Sequence, residues 1–151
     1  MNLMTSNPYC LPPKLEADLS LLLGYWDGLK RGDAEMPFAD DVDPTALPNP
    51  DGMILIEVSE TPMRFRVAMA GAEIRKICGD VLAGAFLDEI AGRYPLDYLH
   101  SQSSATVEGR TPTYYRHRPD SGRDDGPYAR LMMPTWGDGR INMLLGAFTR
   151  S

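Results

Sequence analysis

The chain has 151 residues, 43% of them hydrophobic and 24% charged, with a formal net charge of −6. Such a length suits one ordinary domain, and the composition is that of a globular chain and excludes a disordered one. The first 100 residues hold 8 basic and 16 acidic side chains, which argues against nucleic acid as the main partner, because neutralising phosphates needs a concentrated positive surface.

Cys10 and Cys78 stand far apart and form no CxxC pair, so neither a disulfide framework nor a zinc knuckle is expected. A reducing cytoplasm is the simplest compartment for such a chain. The N-terminus has no basic region followed by a long apolar run, and the apolar cluster Leu19–Leu23 is too short to span a bilayer, so no membrane association is expected.

Residues 1–13, with Pro8, Pro12 and Pro13, predict an irregular lead-in. Over 14–32, Leu15, Leu19, Leu22, Leu23, Trp26 and Leu29 recur at three- and four-residue steps, which predicts an amphipathic helix closed by Gly32. The next stretch, 33–52, carries six acidic residues and four prolines and predicts an extended, solvated connector. Two strands follow over Met53–Val58 and Met63–Ala70. In the second, Phe65, Val67 and Met69 alternate with Arg64, Arg66 and Ala68, and the period then changes to about 3.6 at Gly71, read as a backbone hinge. Short helices are expected over Ala72–Cys78 and Ala85–Ile90, and a longer one over Pro95–Glu108. Three more strands, Thr113–Arg118, Tyr128–Pro134 and Ile141–Thr149, make five, the last two joined through Gly137, Asp138 and Gly139. The fold class is therefore α+β, with one five-stranded antiparallel sheet.

Polar residues indicate which side of each strand meets water, since successive side chains point to opposite faces. Taking Glu57, Arg64, Arg66, Arg116, Arg118, Arg130 and Asn142 as outward puts Ile54, Ile56, Val58, Phe65, Val67, Met69, Tyr115, His117, Leu131, Met133, Met143 and Leu145 inward. The same rule leaves Met53, Leu55, Met132, Leu144 and Phe148 outward, so something apolar must cover that side. The stripe Leu15, Leu19, Leu22 and Trp26 suits the task, either on its own sheet or across a homodimer that also uses Leu144 and Phe148.

The segments YWDGLKRG, MPFADDVDP, RFRVAMAG, ICGDVLAGAFLDEI and INMLLGAF, spread over Tyr25–Thr149, together resemble the short bacterial proteins that consist of one PAS domain and a leading helix. The resemblance implies a PAS fold over 53–151, short helices on one sheet face and the leading helix on the other. It also implies a sensory or regulatory module of signal transduction, not an enzyme, that binds a small apolar or amphipathic ligand and acts by contact with another signalling protein. A ligand-free structural or dimerisation domain is the alternative.

The cleft residues expected to meet such a ligand are Phe65, Met69, Ile77, Phe86, Leu99, His100, Tyr115, His117, Met133 and Met143. Counting helical phase from Leu96 places His100 on the buried stripe, facing the cleft. Some haem-binding PAS sensors hold iron through a histidine on this helix; the bland reading is a core histidine satisfied by a backbone carbonyl or a nearby serine. Cys78, in ICGDVL, does not match the flavin-reactive segment of light-sensing PAS domains and reads as a small buried hydrophobe. No HxH, HxxxH, GxSxG or phosphate-loop motif occurs. A small enzyme built around Tyr115, His117 and His100 is the remaining possibility.

Overall fold

In the computed structural model, which describes residues 9–60, 62–79, 82–90, 95–117 and 126–150, five antiparallel strands form one sheet. They are β1 Met53–Ser59, β2 Arg64–Ala70, β3 Thr113–His117, β4 Tyr128–Gly137 and β5 Arg140–Arg150, in the spatial order β2-β1-β5-β4-β3. Three α-helices accompany them: α1 Ala17–Gly28, α2 Ala72–Cys78 and α3 Leu99–Gly109. All five strands lie where the sequence predicts them. Arg118, Arg123 and most of the loop at 121–126 lie outside the described residues, as does the start of the lead-in.

The turn between β4 and β5 is two residues long, with Gly137 paired to Arg140 and both Asp138 (φ 55°) and Gly139 (φ 77°) in the left-handed region that such hairpins require. Gly71, between β2 and α2, is glycine for a different reason. Its φ of −68° is open to any residue, but a Cβ there would strike the backbone of Pro50 and Asp51. Close approach, not conformational freedom, makes that position small.

Polar contacts assign the two faces. At the start of α1, Glu16 accepts a hydrogen bond from the Tyr114 hydroxyl at 2.9 Å and Asp18 accepts one from the Thr149 hydroxyl at 3.2 Å. On α3, the Gln102 amide donates to Thr113 Oγ1, and its carbonyl oxygen accepts from Arg130 Nε at 2.7 Å. So α1 covers one face and α3 the other. Cross-strand partners share a face, and the register then carries the assignment across the sheet. Arg130 is opposite Phe148, and Leu144 is opposite Pro134 and Ile56, all on the α3 side; Met133, Leu145 and Leu55 lie on the α1 side.

This reverses the predicted parity of β4 and β5. Leu144 and Phe148, expected on the outer face, point toward α3; Met133, Met143, Leu131 and Leu145, expected inside, point toward α1 or the outer surface beside it. Two polar markers misled the count. Arg130 is 2% exposed and satisfied by protein groups, and Asn142 is the extra residue of a bulge between Thr135–Met143 and Trp136–Ile141. Met69 is displaced by a second bulge, at Ala68, which turns it outward to 42% exposure opposite Leu55. In β1, β3 and the first four residues of β2 the predicted parity agrees with the register.

The α1 stripe packs on its own sheet. Leu19, Leu22 and Trp26 are buried within the single chain, Leu15 is partly buried, and Trp26 Nε1 donates to the Pro134 carbonyl at 2.8 Å. With Leu144 and Phe148 buried as well, none of these five fully buried side chains is free to form the expected dimer seam. The connector departs from expectation too. Three 3-10 turns shape it, and Met36 and Leu47 are buried in the core, so it is an apolar-anchored cover and not a solvated spacer.

Truncating Leu22 to Ala is expected to lower stability by about 2–5 kcal/mol, whereas Leu21→Ala, at a position on the same helix 61% exposed, should stay within about 0.5 kcal/mol. Urea unfolding of the two variants measures the contrast.

Candidate functional site

Two places concentrate chemistry. The first is a polar network inside the core on the α3 side. Arg130, in the middle of β4, gives Nε to Gln102 Oε1 at 2.7 Å, Nη1 to the Pro95 carbonyl at 3.0 Å and Nη2 to the Asp97 carbonyl at 2.7 Å. Its guanidinium carbon also lies 5.0 Å from the ring centre of Tyr115 and 5.9 Å from that of Tyr128. Tyr128 donates its hydroxyl to Asp97 Oδ1 at 2.8 Å and stacks on His117 at 4.9 Å. Gln102 joins Thr113 and Thr106 in a buried chain of hydroxyl and amide contacts.

Electrostatics follow from burial. Desolvation pulls the Arg130 guanidinium below its usual value, with the neighbouring tyrosines and Asp97 acting in the opposite sense. Burial likewise pushes the Tyr115 and Tyr128 phenols up, and the Arg130 cation opposes it. Each of the three guanidinium nitrogens has a partner inside the fold, so this network holds structure.

His100 is exposed and stands off the buried stripe of α3, which is Leu99, Gln102, Ser103 and Thr106. The expected inward histidine fails because residues 95–98 are not helical. Tyr98 is the left-handed residue (φ 59°) that precedes the helix, so phase cannot be counted from Leu96. Counted from Leu99, His100 lies about 100° round the helix. Its ring meets the edge of Phe65 at 5.2 Å instead. The premise of haem ligation from the cleft is thereby removed.

The other predicted cleft residues do not converge. Tyr115 and His117 do meet, with the hydroxyl 3.3 Å from Nδ1, beside Tyr128. Phe65 and Leu99 are core residues, and Ile77 packs partly buried at its margin. Phe86 lies under the Arg64 guanidinium at 3.7 Å, in a segment bridged to the outer edge of β2. Met69, Met133 and Met143 belong to the opposite face. Among the described residues no group of three or more His, Cys, Asp or Glu side chains could hold a metal ion, and no helix is long and apolar enough to cross a membrane.

The second place is a groove at one end of the sheet, with a volume of about 510 Å³. Three turns meet there: the β1–β2 connection at Ser59, Glu60 and Met63, the β4–β5 hairpin, and the C-terminal end of α3. Val58, Val107, Trp136 and Ile141 supply an apolar lining, and Arg110 and Arg140 bring charge to it. Arg140 is tied down, its Nη1 on the Val58 carbonyl at 2.6 Å and its Nε on Glu60 at 3.2 Å. Arg110 lies 5.2 Å over the Trp136 ring and reaches Glu35 of the connector at 2.9 Å. A smaller hollow of about 240 Å³, lined by Met36 and Phe38, adjoins across the same Arg110 and Trp136.

Sequence reasoning missed Arg130, Gln102, Trp136, Arg110 and Arg140. A signal existed for the first two. Gln102, Ser103 and Thr106 occupy one helical stripe with Leu99, and an arginine inside the otherwise apolar run Tyr128–Pro134 fits a strand covered on both faces. The groove residues had none, since they come from three distant turns. In comparison with known proteins, the chain matches no family model, no curated protein and no solved structure.

Replacing Arg130 with Ala strands Gln102 and two carbonyls in a dry interior and should cost on the order of 3–5 kcal/mol, measured by chemical unfolding. A second outcome concerns alkaline pH. Burial, then the Glu16 carboxylate, pushes the Tyr114 phenol up to about 12. A pKa raised on folding means that its contribution is complete below the unfolded value of about 10 and is lost as pH climbs through 12. Unfolding followed across that window should show stability falling, with a shallower fall in Tyr114→Phe and a residual slope from Tyr115 and Tyr128.

Proposed function

We propose that this chain is a PAS-like sensory or regulatory module that binds a small amphipathic molecule and acts by contact with another protein, without chemistry of its own. The architecture supports the reading: an antiparallel sheet of five strands, short helices between β2 and β3, and a leading helix packed on the opposite face. The observation that carries ligand binding is the groove at the sheet end. Its volume of about 510 Å³ exceeds the ~300 Å³ at which small-molecule sites begin, and it joins an apolar lining to a few convergent polar groups. The ligand site is therefore the groove among the three turns, not the cleft between sheet and α3.

A ligand-free structural module is the second reading, and the buried Arg130 network favours it, because that network fills the space beside α3 with bonded side chains. The groove outweighs it. Core packing accounts for Arg130, but it leaves the three-turn hollow unexplained.

A ligand-observed screen of small amphipathic fragments, mapped by backbone amide shifts, tests the choice. Binders should shift Met63, Val107, Trp136 and Arg140 and lose their effect in Val107→Trp, which fills the groove. Shifts centred on Phe65, Leu99 and Tyr115, or binding that survives the filled groove, would sink the assignment.

A further inference from the structure

We infer that the groove recognises a carboxylate carried on an apolar body, and that Arg110 is the residue that reads the charge; this rests on the groove being the ligand site. Two hydrogen bonds of Arg110, from Nε at 3.3 Å and from Nη2 at 2.9 Å, go to a single oxygen, Oε1 of Glu35. A guanidinium fork is matched by two acceptor oxygens side by side, which is the geometry a carboxylate offers when both of its oxygens are engaged. Glu35 supplies one and is itself 66% exposed in its side chain. An exposed ion pair of that kind is weak, so an incoming carboxylate displaces it at little cost.

Trp136 makes the position selective for an amphiphile. Arg110 already lies over that ring, and Val107, Val58 and Ile141 continue the apolar lining away from it. A bound molecule would place its carboxylate at the guanidinium and its hydrocarbon part along those side chains. Arg140 also lines the groove but is not the reading group, since its nitrogens hold the Val58 carbonyl and Glu60, whose carboxylate offsets its charge. Occupancy also has a structural consequence. Glu35 belongs to the connector that follows α1, so the ligand exchanges one of the ties between that connector and the end of α3 for a bond of its own.

The test compares 4-phenylbutyrate with its neutral counterpart 4-phenylbutyramide on the whole chain, following the Trp136 indole N–H resonance, which Trp136→Phe identifies. The carboxylate is expected to bind several-fold more tightly than the amide, through a two-oxygen charge-assisted pair with Arg110. Arg110→Gln should abolish that preference by weakening the acid far more than the amide, and Glu35→Gln, which removes the competing carboxylate, should tighten the acid several-fold. A merely structural Arg110 would weaken both probes alike. Equal affinities for acid and amide in the unaltered chain overturn the carboxylate reading yet leave the groove as a ligand site. Indifference of Trp136 to both probes overturns it too, and the fragment screen decides separately whether the groove binds anything.

Discussion

A guanidinium sealed from water has to be satisfied by the protein that surrounds it, and the packing of this chain depends on how Arg130 meets that demand. Its nitrogens join the middle of β4 to Gln102 on α3 and to the carbonyls of Pro95 and Asp97 just before that helix. Neutral acceptors and ring faces stabilise the cation, and among the described residues it forms no ion pair, so α3 and the segment before it have little freedom to shift along the sheet. Tyr128 reinforces the arrangement through Asp97. The demand also decides which face of β4 is interior to the α3 layer. The bonded partner of Arg130 lies on α3, so Met132 and Tyr128 follow it inward, and the register takes Phe148 and Leu144 with them.

Cover on the other face comes from α1 and the connector, and neighbouring segments bond to both sheet margins as well. The amide of Tyr114 on β3 donates to the Tyr9 carbonyl, while residues 84–86 lie along β2, where the Val67 amide donates to Ala85 and the Gly84 amide to Val67. Along β2 this pairing occupies backbone groups that would otherwise invite strand addition. What this leaves for recognition is the end of the sheet, where three turns converge and the chain cannot fill the space between them. The groove is a product of that convergence. Its apolar residues extend the core's own strands and α3, and its charged residues come from the positions where those elements stop.

Much of this was legible in the sequence. The alternation in RFRVAMAG and the Asp138–Gly139 turn determined β2 and the β4–β5 hairpin, and the three- and four-residue spacing of Leu15, Leu19, Leu22 and Trp26 determined both α1 and its buried side. Such patterns are local. Backbone period and turn chemistry act over a few residues, so an isolated stretch carries them in full. The connector was misjudged because its acids and prolines conceal two core residues, Met36 and Leu47, that nothing local distinguishes from solvated neighbours.

By itself, then, the sequence determined the elements, their order and the antiparallel class of the sheet. Only the tertiary structure decided which way β4 and β5 face, where helix α3 begins, and where the groove lies. The reason is that a polar side chain signals water only if water is what satisfies it. Arg130 is satisfied by groups 28 to 35 residues away in the chain, and the two bulges that re-aim Met69 and Asn142 exist only in pairing with a neighbouring strand. The groove goes one step further, because Val58, Val107, Arg110 and Trp136 become neighbours only when three turns meet at one end of the finished sheet.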